Sequence, residues 1–326
     1  MKKLVLIGPG KIAKFHIDAL SIFNFRLVGC ISREGSKSAE HFMREYDKDK
    51  SEYFSTLDYM IKNQDSWDAV LICSPTESHI YYIDALVKFG KPILVEKPVS
   101  NNLDLLKKHL PAKNIMVAFN RRYYSTVSKF KSLIEDEADV FVQVSIPESS
   151  LSIDFENNSS DDLPISLYEN SIHVFDLINY IFGLVKWESV LIKRSTKIMP
   201  MSVHGICNSS TPISLQIMFD APENFSISAY FKNQKIELKP MEVFSHYCDF
   251  EIEEPTLLTP IRRYNPRSID QIYTTQQMNC KPGFYEQAEL FSAFCEGQEN
   301  LSIPTISDSF NAIESINSIS KLVRLI

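Results

Sequence analysis

The chain predicts an α/β fold in two parts. An open, doubly wound parallel sheet occupies about residues 1–120, and an α+β domain with a mostly antiparallel open sheet occupies residues 121–326. Three observations carry this prediction. Short apolar runs alternate with amphipathic helical stretches through the first 120 residues. A G-x-G-x-x-A turn, Gly8 to Ala13, closes the first apolar run and opens the first helix. After about Ser189 the pattern changes to period-two runs that succeed one another without long helices.

Leu4 to Ile7 is a β-rich run, and a helix comes next from about Lys11 to Phe23. Arg26 to Ile31 reads as a second strand and Ser38 to Tyr46 as a second helix. Ala69 to Cys73, Pro92 to Val95 and Ile115 to Phe119 are further strands, with a helix over about Ser78 to Phe89. These strands show little alternation, which indicates burial on both faces and hence a parallel sheet between helical layers.

Beyond Asn120, Tyr123 to Ile134 reads as helix and Val140 to Ile146 as an alternating strand. Pro147 to Pro164 is polar and acidic, a long loop of the kind that serves as a lid. Leu167 to Phe182 predicts one helix, ended by Gly183. Ser189 to Lys193, Ile213 to Phe219, Phe225 to Phe231 and Lys235 to Leu238 alternate and predict an antiparallel sheet. Two helices close the chain, about Tyr285 to Glu296 and Asp308 to Leu325, the second behind the capping box Thr305 to Asp308.

Composition narrows the function classes. Of 326 residues 44% are hydrophobic, enough for packed cores. The formal net charge of −7 argues against a nucleic-acid partner, although main-chain amides still bind anions locally. Leu4 to Ile7 is too short for the core of a signal peptide. Ile172 to Val185, interrupted by His173, Asp176 and Asn179, is too short and too polar to span a bilayer. Six cysteines without a tight spacing point to reduced thiols and a cytoplasmic protein.

In the Gly8-Pro9-Gly10-Lys11-Ile12-Ala13 turn, the first glycine permits the tight turn and the second lets a pyrophosphate approach. The small third residue lets helix and strand pack closely. The helix N-terminus then faces the phosphates. The strand–turn–helix context favours a Rossmann dinucleotide-binding domain over a plain scaffold turn. At the end of the second strand, where Asp or Glu usually binds the ribose, stand Ser32 and Arg33. Without a carboxylate there, and with a guanidinium in reach, a 2′-phosphate is favoured, so NADP is expected over NAD. Arg33 is equally readable as an exposed loop arginine, and a shifted turn would bring Glu34 to the ribose.

Further motifs make the chain resemble the glucose–fructose oxidoreductase and inositol dehydrogenase family. They are the strand-end loop Cys73-Ser74-Pro75-Thr76 continuing to His79, the Glu96-Lys97-Pro98 signature, and Phe119 through Asn120-Arg121-Arg122 to Tyr123. With the helix from Glu169, the resemblance covers roughly residues 1–183. It implies a nicotinamide beside Cys73, Ser74, Pro75, Thr76 and His79. It also implies Glu96 and Lys97 at the cofactor, and Arg121 and Tyr123 near a sugar-like substrate. A homo-oligomer formed through the open sheet face is implied as well.

Lys97 comes after a buried strand at the edge where open α/β sheets bind ligands, and its ammonium can donate to a substrate oxygen. Taken alone it reads as a surface lysine before a helix. Where the family carries Asp-x-Gly-x-His with Asp shortly after, this chain reads Glu169, Ser171, His173 and Asp176. Glu169 and His173, four apart, share a face of that helix. His173 could then exchange a proton with a substrate hydroxyl, oriented by Glu169. Ser171 in place of glycine is expected to crowd a close approach. A histidine satisfied within a domain interface is the competing reading of His173, and Asp176 serves either substrate or local structure.

His204, Cys207, His246 and Cys248 lack metal-ligand spacing, and no metal is expected. The basic pairs Arg121–Arg122 and Arg262–Arg263 suit an anionic substrate or salt bridges equally. The expectation is an NAD(P)-dependent oxidoreductase acting on a carbinol or ketone carbon of a sugar, cyclitol or nucleotide-linked sugar. The rival readings are a redox-assisted lyase or hydrolase and a non-enzymatic protein that senses the dinucleotide.

Overall fold

The computed structural model describes residues 1–46, 55–150, 163–193, 200–208 and 210–324. They form two compact units: Met1–Tyr123 with Gln276–Glu314, and Tyr124–Thr275 with Ser315–Ile326.

The first unit is built on five parallel strands in the order β2-β1-β3-β4-β5: β1 (Lys2–Ile7), β2 (Phe25–Ile31), β3 (Ala69–Ile72), β4 (Ile93–Val95) and β5 (Ile115–Val117). Every residue of β3, β4 and β5 is buried, as both faces of a covered sheet require. The helices are α1 (Lys11–Ile22), α2 (Ser38–Tyr46), α3 (Leu57–Lys62), α4 (Thr76–Leu86) and α5 (Leu103–His109). α3 and α5 are not legible in the sequence. They span only six and seven residues, and each is started by a side-chain cap, Thr56 or Asn102, rather than by an apolar stripe.

Register positions the functional edge. Ile7 pairs with Ile31 on one side and Ile72 on the other, and Ile72 pairs with Val95. The residues that leave these strands, Gly8, Ser32, Cys73 and Glu96, therefore stand in one row at the C-terminal edge. The order of strands reverses at β1, and that reversal marks the ligand crevice of an open α/β sheet.

The first stretch of the first unit ends at Tyr123, and the expected second domain does not run unbroken to residue 326. The segment from Gln276 returns to the first unit, where α9 (Phe284–Cys295) packs Phe284, Ala288 and Phe291 into the core with Ile17, Leu20 and Phe25. Apolar burial overrides chain order here, because α9 exposes a stripe that α1 can cover. Val117 donates its N–H to the Pro304 carbonyl at 2.8 Å, fastening the same segment to β5.

The second unit contains α6 (Ser125–Ile134), β6 (Phe141–Glu148), α7 (Ile165–Glu169), α8 (Ile172–Phe182), β7 (Val185–Ile192), β8 (Met201–Cys207), β9 (Pro212–Phe219), β10 (Ser226–Phe231), β11 (Gln234–Leu238), β12 (Val243–Glu253) and β13 (Arg263–Tyr273). α10 (Ile306–Arg324) closes the chain. The sheet has eight strands in the order β13-β12-β11-β10-β6-β9-β8-β7, antiparallel throughout except for β6 with β9. β8, β12 and β13 are not among the strands the sequence predicts. β13 is exposed along nearly its whole length and contains Pro266, so it shows neither an apolar alternation nor good strand propensity. Main-chain pairing with β12 makes it a strand. Within this hairpin, Arg262 pairs with Glu254, and Arg263 with Glu253 at 3.7 Å, so this basic pair is held by surface ion pairs.

The single helix expected from Leu167 to Phe182 is two helices. Asn170 and Ser171 both donate their N–H to the Ser166 carbonyl, and Val174 donates to Ser171, which breaks the regular ladder between α7 and α8. The greater part of the expected loop from Pro147 to Pro164, residues 151–162, lies outside the described residues. Among the described residues no helix is long and apolar enough to cross a membrane.

Candidate active site

The cradle begins at the glycine turn. Gly8 takes φ +87°, and a Cβ there would lie 2.4 Å from the Ser74 backbone nitrogen and Cα. Gly8 is thus required both by its conformation and by the strand-end loop pressed against it. Gly10, the N-cap of α1, has φ −87° and would put its Cβ in open space, with nothing within 4 Å. This opening in front of a helix N-terminus fits a pyrophosphate. Lys11 and Ile12 begin α1, and the Ile12 side chain packs on the core.

A cleft of about 720 Å³ surrounds this turn. Of the residues expected at the cofactor, Gly8, Pro9, Gly10, Ser32 and Arg33 line it, as do Cys73, Ser74 and Pro75 from the loop after β3. Glu77, within the strand-end motif, lines it too; Ser36, Ser38 and Tyr82 also line it and are not marked by the sequence, because they reach the cleft from a turn and a helix face rather than from a motif. The Arg33 carbonyl accepts the Ser36 N–H at 3.0 Å, and Gly35 takes φ +75°, so Arg33 to Ser36 is a tight turn with its glycine in the left-handed position. The Ser36 and Ser38 hydroxyls are 2.8 Å apart at its end. The turn keeps Arg33 on the cleft, and Glu34 is not among the lining residues.

Three expected cofactor contacts are placed differently. His79 is buried, with Nδ1 3.0 Å from the Pro98 carbonyl and Nε2 2.6 Å from the Ser74 carbonyl. It ties the loop after β3 to the loop after β4 instead of facing the cleft, and burial holds its pKa below the ordinary value. Thr76 is the first residue of α4 and is not among the lining residues. Glu96 turns inward: Oε1 lies 2.7 Å from His16 Nε2, and Oε2 accepts the Lys97 N–H at 3.1 Å. Burial would raise the Glu96 carboxyl, but the His16 bond and the Lys97 charge outweigh it and hold the pKa below the ordinary value. The part played by His16 is hidden in the sequence; its only signal is a polar residue on the buried face of α1. Lys97 is half-buried at the end of β4.

In the second unit, Glu169 is the exposed last residue of α7, whereas His173 is buried in the first turn of α8. The ladder between α7 and α8 breaks between Glu169 and His173, so the two residues stand on separate helices. Asp176, one turn beyond His173, is 1% exposed. Ser171 does not crowd its surroundings: fully buried, it donates its hydroxyl to Glu148 at the end of β6, and Asn170 donates to the same carboxylate at 3.4 Å. Glu148 carries no signal in the sequence, because only the fold brings the end of β6 to this junction. Burial raises its pKa above the ordinary value, against the lowering effect of its hydroxyl and amide donors.

The sign of that shift has a consequence for stability. The native state favours the protonated carboxyl, so this contribution is present at low pH and is lost as pH rises through the raised pKa. Glu148→Gln is therefore expected to gain stability relative to the parent protein as pH rises through the raised carboxyl pKa. Melting temperatures of both proteins as a function of pH check it.

Arg121 and Tyr123 lie on a short 3₁₀ turn at the end of the first unit, and the Tyr123 ring packs against that unit's core. Arg122, between them, is buried and donates to Asp308 at 2.8 Å, a structural ion pair. Among the described residues no group of three or more His, Cys, Asp or Glu side chains is placed to hold a metal. His204 is bonded to Ser202, and His246 to Gln234.

Residues 2–120, which supply the cradle, match the model of an oxidoreductase family with an NAD-binding Rossmann fold, the family of glucose–fructose oxidoreductase and inositol dehydrogenase. Over 220 residues the chain is 30% identical to glucose-6-phosphate 3-dehydrogenase of Bacillus subtilis, a match covering 61% of this chain and 59% of that protein. Inositol 2-dehydrogenase of Rhizobium meliloti is 27% identical over 188 residues, 55% of this chain and 54% of that one. The matches thus span little more than half the length of these curated relatives. The solved super-repressor mutant of Gal80p from Saccharomyces cerevisiae covers 99% of this chain and 96% of its own, with a TM-score of 0.76 and 13% identity. At that identity it shows a shared fold alone.

Proposed function

We propose that this protein is an NADP-preferring oxidoreductase that interconverts a carbinol and a carbonyl on a sugar, cyclitol or nucleotide-linked sugar. The observation that carries the reading is the cleft that joins the open Gly10 turn to Arg33 and to the loop after β3, at the sheet edge that also bears Lys97. The named activities of the relatives, on inositol and glucose 6-phosphate, support the substrate class.

Gly8, Pro9 and Gly10 would hold the pyrophosphate, while Ser32 and Arg33 would hold the 2′-phosphate. Cys73, Ser74 and Pro75 would border the nicotinamide half. When bound, the nicotinamide supplies the hydride acceptor or donor. Lys97 donates a hydrogen bond to the substrate oxygen and stabilises negative charge there. In the second unit, His173 would be the group that exchanges a hydroxyl proton. Tyr82 and Glu77 also line the cleft.

A spectrophotometric screen of polyols, sugars, sugar phosphates and nucleotide sugars with both cofactors tests the reading. Nicotinamide reduction with at least one of them is expected, and dinucleotide binding with no turnover across the panel would favour a sensing protein instead. Arg33→Ala is expected to weaken NADPH binding by about tenfold or more, the worth of a charge-assisted bond to phosphate, and to leave NADH binding nearly unchanged. Equal losses for both cofactors in fluorescence titrations would remove Arg33 from phosphate recognition.

A further inference from the structure

Three side chains behind β4, buried His16 and Gln287 and partly buried Glu96, are not among those lining the cofactor cleft. Glu96 Oε1 meets His16 Nε2 at 2.7 Å, and Gln287 Nε2 meets His16 Nδ1 at 3.2 Å. Glu96 Oε2 accepts the main-chain N–H of Lys97 at 3.1 Å. The chain of contacts runs from α9 through α1 to the residue after β4, wholly within the first unit.

Bond direction is set by what each group can do. The Gln287 amide nitrogen only donates, so Nδ1 of His16 accepts and the ring proton sits on Nε2, aimed at Glu96. Gln287 is 1% exposed, and its Oε1 has no hydrogen-bond partner among the described residues. A buried amide with one end unpaired costs stability that a methionine of similar size would not. The side chain is explained by the one bond it makes to His16.

We propose that Gln287, His16 and Glu96 are positioning residues that hold an ionised carboxylate against Lys97 and so keep its ammonium charged for donation to substrate. This rests on the oxidoreductase reading for the part Lys97 plays. Among the described residues, the titratable groups facing Glu96 are His16 from α1, Cys73 at the end of β3, His79 from α4 and Lys97 itself. Burial pushes the Cys73 thiol well above its ordinary value and holds the His79 imidazole below its own, so both are neutral near pH 7. His16 meets Glu96 directly, and Lys97 is the neighbouring ammonium on which the Glu96 charge acts. By reciprocity, a carboxylate stabilised by an ammonium stabilises that ammonium in turn.

The test reads Lys97 directly, without substrate or cofactor. Protein labelled at lysine side-chain carbons is titrated by NMR, and the Lys97 signal is assigned by its loss in Lys97→Arg. Glu96→Gln removes the charge and keeps the shape; it is expected to lower the Lys97 titration midpoint by about one unit, a tenfold loss of proton affinity. An unmoved midpoint overturns the proposal. Gln287→Met serves where Glu96→Gln does not fold. It is expected to keep or raise thermal stability and to change the His16 ring-nitrogen shifts from a single Nε2–H form to a mixture. Unchanged ring shifts overturn the proposal. Loss of dinucleotide binding by the parent protein would sink the oxidoreductase reading but would leave both titrations interpretable.

Discussion

Alanine at Gly8 is expected to abolish dinucleotide binding and to destabilise the first unit by about 3 kcal/mol or more, whereas alanine at Gly10 is expected to abolish binding alone. The two glycines sit two residues apart in one motif, yet the structure gives them different work. At Gly8 a methyl group would need the left-handed region and would also overlap Ser74 backbone at 2.4 Å. The neighbour is main chain, so no rotamer change relieves the overlap. At Gly10 the backbone is in an ordinary region and the methyl group meets nothing within 4 Å. Folding should be unchanged there to within about 0.5 kcal/mol, as for a surface substitution. The methyl group would occupy the space taken by pyrophosphate oxygens. Denaturant melts and fluorescence titration with NADPH separate the cases. A Gly10→Ala protein that binds as tightly as the parent would remove this turn from phosphate binding.

Lys97→Met should lower turnover by about a hundredfold to ten-thousandfold while dinucleotide affinity stays within a few-fold. Methionine keeps the length and apolar stem of the side chain and removes only the ammonium. In the proposed role that ammonium acts on the substrate oxygen as charge develops, so kcat should fall with little change in cofactor Kd. The measurement is kcat, KM and Kd on the substrate found in the screen. Turnover within tenfold of the parent would make Lys97 an ordinary residue at a strand end. The same outcome would leave the buried Gln287–His16–Glu96 chain without a catalytic purpose.

The legible part of the site is the part written in local sequence. Gly8 and Gly10 stand between an apolar run and a helix, and both constraints are read within ten residues. Ser32 and Arg33 can be placed because β2 ends where its apolar run ends. The expected roles of His79 and Glu96 fail for one reason: a motif names residues near a site without saying which way they turn. His79 turns to two main-chain carbonyls and Glu96 to His16. Spacing implies a shared face only along an unbroken ladder, and between Glu169 and His173 the ladder shifts at Ser171. That shift accompanies the hydrogen bond from Ser171 to Glu148, a residue 23 positions earlier.

By itself the sequence determined the parallel sheet, its glycine turn and the strand ends that carry the cleft, because apolar runs and turn residues act over a few neighbouring positions. Only the tertiary structure decided that α9 belongs to the first unit, that β13 is a strand, and that Gln287 reaches His16 across 271 positions of chain. Burial and hydrogen-bond pairing are satisfied by whatever lies close in space, and a linear pattern records no such neighbours.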